Sequence, residues 1–372
     1  MVVNQGLSHL SDQFLIVTVA LYSLAVLAFA ADFAFGRRSP APAAAEVPEL
    51  VPAGVSAGAG APGAGGSGAV APGAVAPGSG AADGAASGVD GGAASGADGG
   101  VDRGAARGLS RGSQAGQPAG LWVRAGISVT ALGLAAHIVG VIIRGFAVHR
   151  VPWGDMYEFV IAVSCVAVLF FLGLMIKYRP YYLGLFFMAP IVIIMGLAQT
   201  VIYTPAGPLV PALNSYWLAI HVTAITLASG TYVVGAVLAV VYLFAERHAR
   251  RVAAGLPVRN TEVFRLLPSA ARIDQFAYRT VVFAFPLWTF GIMAGAIWAD
   301  QAWGRYWGWD PTETWAFITW VVYAGFLHAR VTAGWRGRRA AYIQLVGFGC
   351  LLFNLLGVSI FITGLHSYAG LS

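Results

Sequence analysis

The feature that most constrains this chain is a series of eight apolar runs, each close to the roughly 20 residues that cross hydrocarbon as a helix. Inside a bilayer only helices and closed barrels satisfy every backbone hydrogen bond, and runs this long favour helices. The sequence therefore predicts an all-α, polytopic membrane protein with about eight transmembrane helices. The predicted spans cover residues 14–35, 121–148, 157–176, 181–200, 215–245, 279–299, 313–332 and 341–364.

Composition separates the chain from soluble proteins. Its 372 residues are 58% hydrophobic and only 10% charged, whereas a soluble domain has about 25% charged residues. The net charge of +6 does not indicate a nucleic-acid partner, because the basic residues cluster at the ends of apolar runs, as topology signals do. Cys165 and Cys350 lie in apolar stretches without a CxxC spacing, so we expect neither a disulfide nor a redox pair.

Three segments follow from this pattern. Residues 1–38 are predicted to form an N-terminal transmembrane anchor, because no basic residue precedes their apolar run, as it would in a signal peptide. Residues 39–120 are rich in Ala, Gly, Pro and Ser and bury too little apolar area to offset their ordering entropy. We expect a disordered cytoplasmic linker there, with a docking segment for a partner as the alternative. Residues 121–372 are predicted to form a seven-helix domain.

The distribution of Lys and Arg predicts the orientation. With the N-terminus outside, 19 of the 22 basic residues fall in cytoplasmic segments, and only Arg144, Arg150 and Arg305 fall outside. The opposite orientation would place those 19 outside, against the positive-inside rule. We therefore expect a multi-pass protein of the cell membrane whose loop at about 298–315 is extracytoplasmic.

The predicted topology indicates how deep in the membrane three histidines lie. His221 lies near the outer end of its span, and His366 directly follows the last span on the same side. His328 lies about 15 residues below Glu313, or roughly 22 Å along a helix, towards the cytoplasmic side. Each of them could be a structural histidine. Two imidazoles at one depth nevertheless make an axial ligand pair for haem iron plausible.

The loop at 298–315 carries six Trp or Tyr residues in 18 positions, more than the one or two per helix end of an ordinary aromatic belt. The alternative to such a belt is a flat, polarizable surface that binds a planar ligand. Gly304 and Gly308 would let the backbone approach that ligand closely. Porphyrin fits that description.

These residues also carry a resemblance. The segment 303–315 (WGRYWGWDPTETW), followed by the helix 320–330 with its WxxYxxxLHxR pattern, resembles the tryptophan-rich WWD domain of the haem-handling protein superfamily. The chain looks most like the CcsA/ResC family (CcsB in actinobacteria) of System II cytochrome c biogenesis. The supporting segments are 151–159 (VPWGDMYEF), 216–222 (YWLAIHV) and 364–368 (GLHSY), and the resemblance covers about residues 120–372.

The resemblance implies roles for individual residues. His221 and His366 would be the axial ligands of an external haem b, with Trp303, Trp307, Trp309 and Asp310 as the platform beneath it. His328 matches the intramembrane histidine of the family, which is thought to ligate a second haem together with a histidine of a partner protein. His137 is expected to be structural, and the resemblance does not explain the N-terminal anchor or the linker.

The implied function is transport of haem to the outer membrane face and its presentation for covalent attachment to the CxxCH motif of apocytochrome c. The implied partners are a ResB/Ccs1-type protein, apocytochrome c, membrane lipid and, indirectly, a thioredoxin-like thiol reductant. The chain would be one component of a cytochrome c synthase complex. The alternatives are a System I-like WWD haem-delivery protein, a di-haem membrane electron carrier and a permease whose aromatic loop is incidental.

Reporter fusions test the predicted topology. Fusions within 39–120 and 246–278 should report a cytoplasmic location, and fusions within 300–312 an external one, because the basic residues are so unevenly distributed. External reporter activity from a fusion near Arg259 would reverse the orientation and every depth inferred from it.

Overall fold

A computed structural model describes residues 3–35, 120–178, 181, 183–208, 213, 215–258, 264 and 267–366. Within these ranges the chain forms eight long helices, a π-helical turn at Phe353–Gly357, a short last helix and no β-strand. The helices are α1 Gln5–Phe35, α2 Leu121–Val148, α3 Met156–Tyr178, α4 Leu183–Thr200, α5 Tyr216–Ala253, α6 Ala270–Trp303, α7 Pro311–Val331, α8 Arg338–Leu352 and α9 Val358–Phe361. The all-α prediction is confirmed. The predicted linker 39–120, apart from Gly120, lies outside the described residues.

Seven of these helices are long and apolar enough to cross a membrane, as a multi-pass membrane protein requires. The eighth, α7, is less apolar because its 21 residues include Glu313, His328 and Arg330. Three helices run well past their predicted spans: α1 begins at Gln5, α5 reaches Ala253 and α6 begins at Ala270. Hydropathy marks only the part of a helix in hydrocarbon, whereas Ala, Glu and Arg are good helix formers that continue it into water.

The central helix of the bundle is α5. Most of its surface is buried, whereas the other spans bury only about a third of theirs. It packs most extensively against α6 and also contacts α3 and α8. Because its second turn carries His221, the central position of α5 places that histidine among the surrounding helices.

The N-terminal helix α1 packs against α2 and α4. The Tyr22 hydroxyl lies 3.2 Å from Nδ1 of His137, which is fully buried on α2. Gly133 of α2 leaves room for the Tyr22 ring, since a Cβ there would lie 2.7 Å from ring atoms. The contact with Tyr22 is the kind expected of a structural histidine.

A buried ionic network joins α1, α2 and α3. Arg144 is fully buried, and its Nε donates to Glu158 Oε1 at 3.0 Å and its Nη1 to Asp12 Oδ1 at 3.3 Å. Its Nη2 donates to the Thr204 carbonyl oxygen at 2.6 Å, and Arg150 Nη1 donates to Glu158 Oε2 at 2.7 Å. A buried charge is tolerated only when it is paired and hydrogen-bonded, as it is here.

Breaking this network by removing one partner should be costly. Arg144→Met leaves the buried Glu158 carboxylate with one fewer counter-charge and should lower the free energy of unfolding by about 3–5 kcal/mol. The measurement is denaturation of the detergent-solubilised protein followed by tryptophan fluorescence. Arg250→Met is the control, because Arg250 is exposed and its pair with Glu246 contributes only about 0.3–0.5 kcal/mol. Equal losses in the two variants would contradict a structural role for the buried network.

Candidate functional site

A cavity opens at the end of the bundle where α5 and α7 begin and α6 ends. The space that protein atoms leave there is about 1150 Å³, a figure that includes the open mouth. The lining is mostly apolar and aromatic. It includes His221, Trp288, Trp298, Trp303, Trp307 and His366.

His221 is held by the helix that packs beside it. Its Nδ1 lies 2.7 Å from the carbonyl oxygen of Gly291 on α6. Because a carbonyl oxygen only accepts, Nδ1 must carry the proton and donate. Gly295, one turn further along α6, allows this approach, since a Cβ there would lie 2.6 Å from His221 Nδ1. The α6 backbone therefore fixes both the position and the tautomer of this imidazole.

His366 is held by a carboxylate. Its Nδ1 lies 2.8 Å from Asp310 Oδ2, and the backbone N–H of Leu365 donates to Asp310 Oδ1 at 2.6 Å. These two bonds tie the segment after α9 to the N-terminus of α7. An ionised carboxylate only accepts hydrogen bonds, so Nδ1 of His366 is also the protonated nitrogen.

One indole lies against both imidazoles. The ring of Trp298 is nearly parallel to that of His221, with centroids 6.3 Å apart, and meets the ring of His366 at 60° with centroids 6.0 Å apart. Trp303 meets His366 at 75° with centroids 5.0 Å apart. The structure thus brings the two predicted axial ligands together at one end of the bundle, within a tryptophan cluster.

Asp310 also shapes the loop that leads into α7. Its side chain accepts from Thr312 N, and Glu313 accepts from the backbone N–H groups of Asp310 and Gly308, which is a capping box. Burial raises the pKa of Asp310, but the hydrogen bonds from His366 and Leu365 outweigh it and hold the pKa below its ordinary value.

The predicted platform residues fall into two groups. Trp303 and Trp307 line the cavity, and Asp310 supports His366 from outside it. Trp309 adopts a left-handed backbone conformation with φ 56° and is 65% exposed. It meets Trp307 edge to face at 5.7 Å, so it contacts the cavity wall from outside.

His328 lies apart from this cavity. It is exposed on α7, whereas Tyr323 and Phe326 of the same helix point into the core. Nothing in the cavity lining comes from its part of the helix. The structure therefore separates His328 from the pair formed by His221 and His366.

A second wall of the cavity is built by the start of α3 and the end of the last helix. Trp153, Asp155, Met156, Asn354 and Ser359 contribute to it. Burial and the nearby Glu158 carboxylate raise the pKa of Asp155 above its ordinary value. Sequence reasoning gave none of these residues a role. The segment 153–158 (WGDMYE) resembles 307–313 (WGWDPTE) in its Trp-Gly and Asp/Glu spacing, which is a signal that could have located part of this wall.

The residues present fit a haem iron. A hydrogen bond at Nδ1 leaves the lone pair of a neutral imidazole on Nε2, which is how metal-ligating histidines are commonly oriented. Among the described residues no group of three or more His, Cys, Asp or Glu could hold a bare metal ion. Two anchored imidazoles suit an iron that a porphyrin already holds, and the surrounding indoles suit the porphyrin face.

Comparison with known proteins identifies the family of this chain. A family model described as "Cytochrome C assembly protein" matches residues 153–366, which is more than half of the chain. This chain belongs to that family. The matched range contains the cavity, both anchored histidines and the tryptophan loop, and it places the chain in cytochrome c biogenesis.

Individual relatives are proteins of cytochrome c biogenesis. The chain is 35% identical over 257 residues to the cytochrome c biogenesis protein CcsA of Heterosigma akashiwo, covering 62% of this chain and 80% of that one. It is 44% identical over 179 residues to CcsA of Guillardia theta, covering 45% and 58%. For CcsA of Synechococcus elongatus the values are 40% over 198 residues, covering 44% and 61%. Across the last two, the chain spans about three fifths of the relative's length.

Among solved structures, the chain is similar to the cytochrome c heme lyase CcmF. It superposes with a TM-score of 0.48 at 18% identity, covering 63% of this chain and 41% of that chain. The present chain thus spans about two fifths of that protein's length.

Asp310→Asn tests the support of His366. Asparagine still caps a helix but cannot accept all the hydrogen bonds of the carboxylate, so stability should fall by about 1–2 kcal/mol at neutral pH. Because folding lowers the pKa of Asp310, its contribution is complete above the ordinary Asp pKa of about 3.9 and is lost as pH falls through the lower folded value. Thermal unfolding midpoints of both proteins should therefore converge below about pH 4. A difference that persists unchanged in acid would contradict this assignment.

Proposed function

We propose that this protein binds haem in the cavity, with His221 and His366 as axial ligands, and presents it for attachment to apocytochrome c. The observation that supports this most is the pair of Nδ1 hydrogen bonds, to Gly291 O and to Asp310 Oδ2. They leave the lone pair of each neutral imidazole on Nε2, and both histidines line one aromatic cavity, which suits bis-histidine ligation of haem.

Attachment needs geometry more than acid or base chemistry from this chain. Each thiol of the CxxCH motif adds across a vinyl group, so that a carbon–sulfur bond forms and the thiol hydrogen ends on the neighbouring vinyl carbon. The protein would hold the ring by its iron and its faces, with Trp303 and Trp307 of the cavity lining in contact with it. Holding the two reactants together in this way converts a bimolecular step into an effectively intramolecular one.

The direction of delivery follows from topology. With the basic residues inside, the cavity faces the extracytoplasmic side, where thiols of apocytochrome c arrive. We propose that the chain works in a System II complex with a ResB/Ccs1-type partner. His328 supports this, because it is exposed on α7 and a second haem there would need another ligand from a neighbouring protein. In this scheme haem passes the His328 site before it reaches the cavity.

Variants of the two anchored histidines test the ligand assignment. His221→Ala and His366→Ala should each abolish cytochrome c maturation, because an iron with one protein ligand is weakly held. Added imidazole should restore part of the activity by filling the space that the side chain leaves. The measurement is haem-stained cytochrome c in cells that depend on this protein. His248→Ala is the control, because His248 stacks on Phe264 and takes no part in the cavity lining. Normal cytochrome c maturation in both variants without imidazole would show that His221 and His366 are not the haem ligands.

The haem content of purified variant complexes tests the proposed route from His328 to the cavity. His328→Ala should deplete haem from the whole purified complex, because entry precedes the outer site. His221→Ala, His366→Ala, Trp307→Ala and Asp310→Ala should keep part of the haem with an altered absorption spectrum. A pyridine haemochrome assay on each complex gives the ratio of haem to protein. Full loading of the His328→Ala complex would show that the cavity is filled without passing His328. Stable, redox-active haem that never transfers to apocytochrome would instead indicate an electron carrier.

A further inference from the structure

The two histidines of the cavity differ in what their Nδ1 atoms bond to. His366 Nδ1 lies 2.8 Å from the Asp310 carboxylate, and His221 Nδ1 lies 2.7 Å from the carbonyl oxygen of Gly291. The first acceptor carries a negative charge and the second is neutral. A hydrogen bond to an ionised group is roughly twice as strong as one between neutral groups, so similar distances here join bonds of unequal strength.

The surroundings of Asp310 increase this difference. Its side chain is only 3% exposed, so little water competes for the carboxylate, and the low local dielectric strengthens the bond to His366. The backbone N–H groups of Leu365 and Thr312 donate to the same carboxylate at 2.6 and 3.2 Å. These two bonds share part of its charge, but they also hold it in a fixed position beside the imidazole.

The acceptor of His221 is weaker for a second reason. Gly291 lies well inside α6, where a carbonyl oxygen accepts from the N–H group four residues further along the helix. The His221 imidazole therefore uses the second lone pair of an oxygen that the helix already employs. A neutral, shared oxygen polarises an N–H bond less than a buried carboxylate does.

Hydrogen bonds at Nδ1 set how strongly Nε2 donates to a metal. A carboxylate draws the Nδ1 proton towards itself and leaves more negative charge on the ring, which makes Nε2 a more basic ligand. The carbonyl of Gly291 has the same effect to a smaller degree. His366 should therefore hold an iron more strongly than His221 does.

This inequality matters because attachment requires a ligand exchange. Iron in a finished cytochrome c carries the histidine of the CxxCH motif as an axial ligand. That histidine can bind only where one of the two imidazoles of this protein has left. The weaker of the two is the one that leaves more easily.

We propose that His366 is the retained ligand of haem and that His221 is the ligand that the histidine of CxxCH replaces. This inference rests on the proposed function and gives the order of events at that site. His221 gives up its bond to iron as the substrate imidazole forms one. Both are neutral imidazoles, so the exchange transfers no electron or proton. Asp310 is a positioning residue that acts through His366.

Carbon monoxide tests which ligand is retained, because it binds ferrous haem in place of one axial ligand. The iron–carbon stretching frequency then reports the donor strength of the imidazole that remains, when proteins are compared at equal carbon–oxygen frequency. Full-length, detergent-solubilised wild type and His221→Ala, both loaded with haem, should give the same frequency in resonance Raman spectra. His366→Ala should give a different frequency, characteristic of a weaker donor.

Three results would overturn the proposal. These are a wild-type frequency that matches His366→Ala, two bands of equal strength, and a six-coordinate wild type that binds no carbon monoxide. The proposed function fails separately, if wild type loaded with haem shows no bis-imidazole spectrum at all.

The midpoint potential of bound haem tests the part played by Asp310. Asparagine still accepts a hydrogen bond but carries no charge, so Asp310→Asn should raise the potential, because a less basic imidazole stabilises ferric iron less. Asp274→Asn is the matched control, since the Asp274 carboxylate pairs with Arg330 and not with a cavity histidine, and it should keep the wild-type potential. A potential that Asp310→Asn leaves unchanged would contradict the role of the carboxylate.

A peptide in which serines replace both cysteines of CxxCH separates ligand exchange from covalent attachment. It should restore the six-coordinate absorption spectrum of His221→Ala loaded with haem, because its histidine fills the vacant position. In His366→Ala it should not, because the position beside Asp310 is not the one that substrate takes. Equal restoration in the two variants would show that the substrate histidine does not select the His221 position.

Discussion

The carboxylate of Asp310 accepts hydrogen bonds from three parts of the chain: the first turn of α7, the backbone of Leu365 and the imidazole of His366. The first of these hydrogen bonds caps α7, so the start of that helix fixes the position of the Asp310 carboxylate. The segment after α9 has no regular structure of its own at His366 and depends on this anchor. His221 is fixed differently, by the backbone of α6. The relative position of His221 and His366 therefore depends on how α5, α6 and α7 pack together.

The bilayer limits how polar groups can be used inside such a bundle. Buried charges must be paired, and Arg144 satisfies this by bonding Asp12, Glu158 and the Thr204 carbonyl oxygen. The same Glu158 accepts from Gly154 N at 2.7 Å, so the network also holds the turn that carries Trp153 and Asp155 at the cavity wall. The N-terminal helix thus takes part in the structure behind the site, because Asp12 belongs to α1.

Two helix starts face the cavity with similar chemistry. At α3, Asp155 caps the helix and Glu158 bonds the preceding glycine; at α7, Asp310 caps the helix and Glu313 bonds Gly308 and Asp310. Each pair of acids satisfies backbone N–H groups that a helix N-terminus leaves without partners. The two carboxylates that cap these helices differ in their neighbours. Only Asp310 meets an imidazole, and this meeting lowers its pKa, whereas burial and a second carboxylate raise that of Asp155.

The sequence by itself determined the all-α membrane architecture and predicted which histidines form a pair, because hydropathy over about 20 residues and a dense tryptophan motif are local signals. It also placed His221 and His366 at one depth. It did not reveal that His328 faces away from the cavity, because the face a helical residue presents depends on which neighbours pack around it. It did not reveal the anchors of the ligand pair or the role of Arg144, since residues far apart in the chain make those contacts. Only the tertiary structure could place Asn354 in the cavity wall, because a lone amide in an apolar run does not indicate which face of its helix meets the cavity.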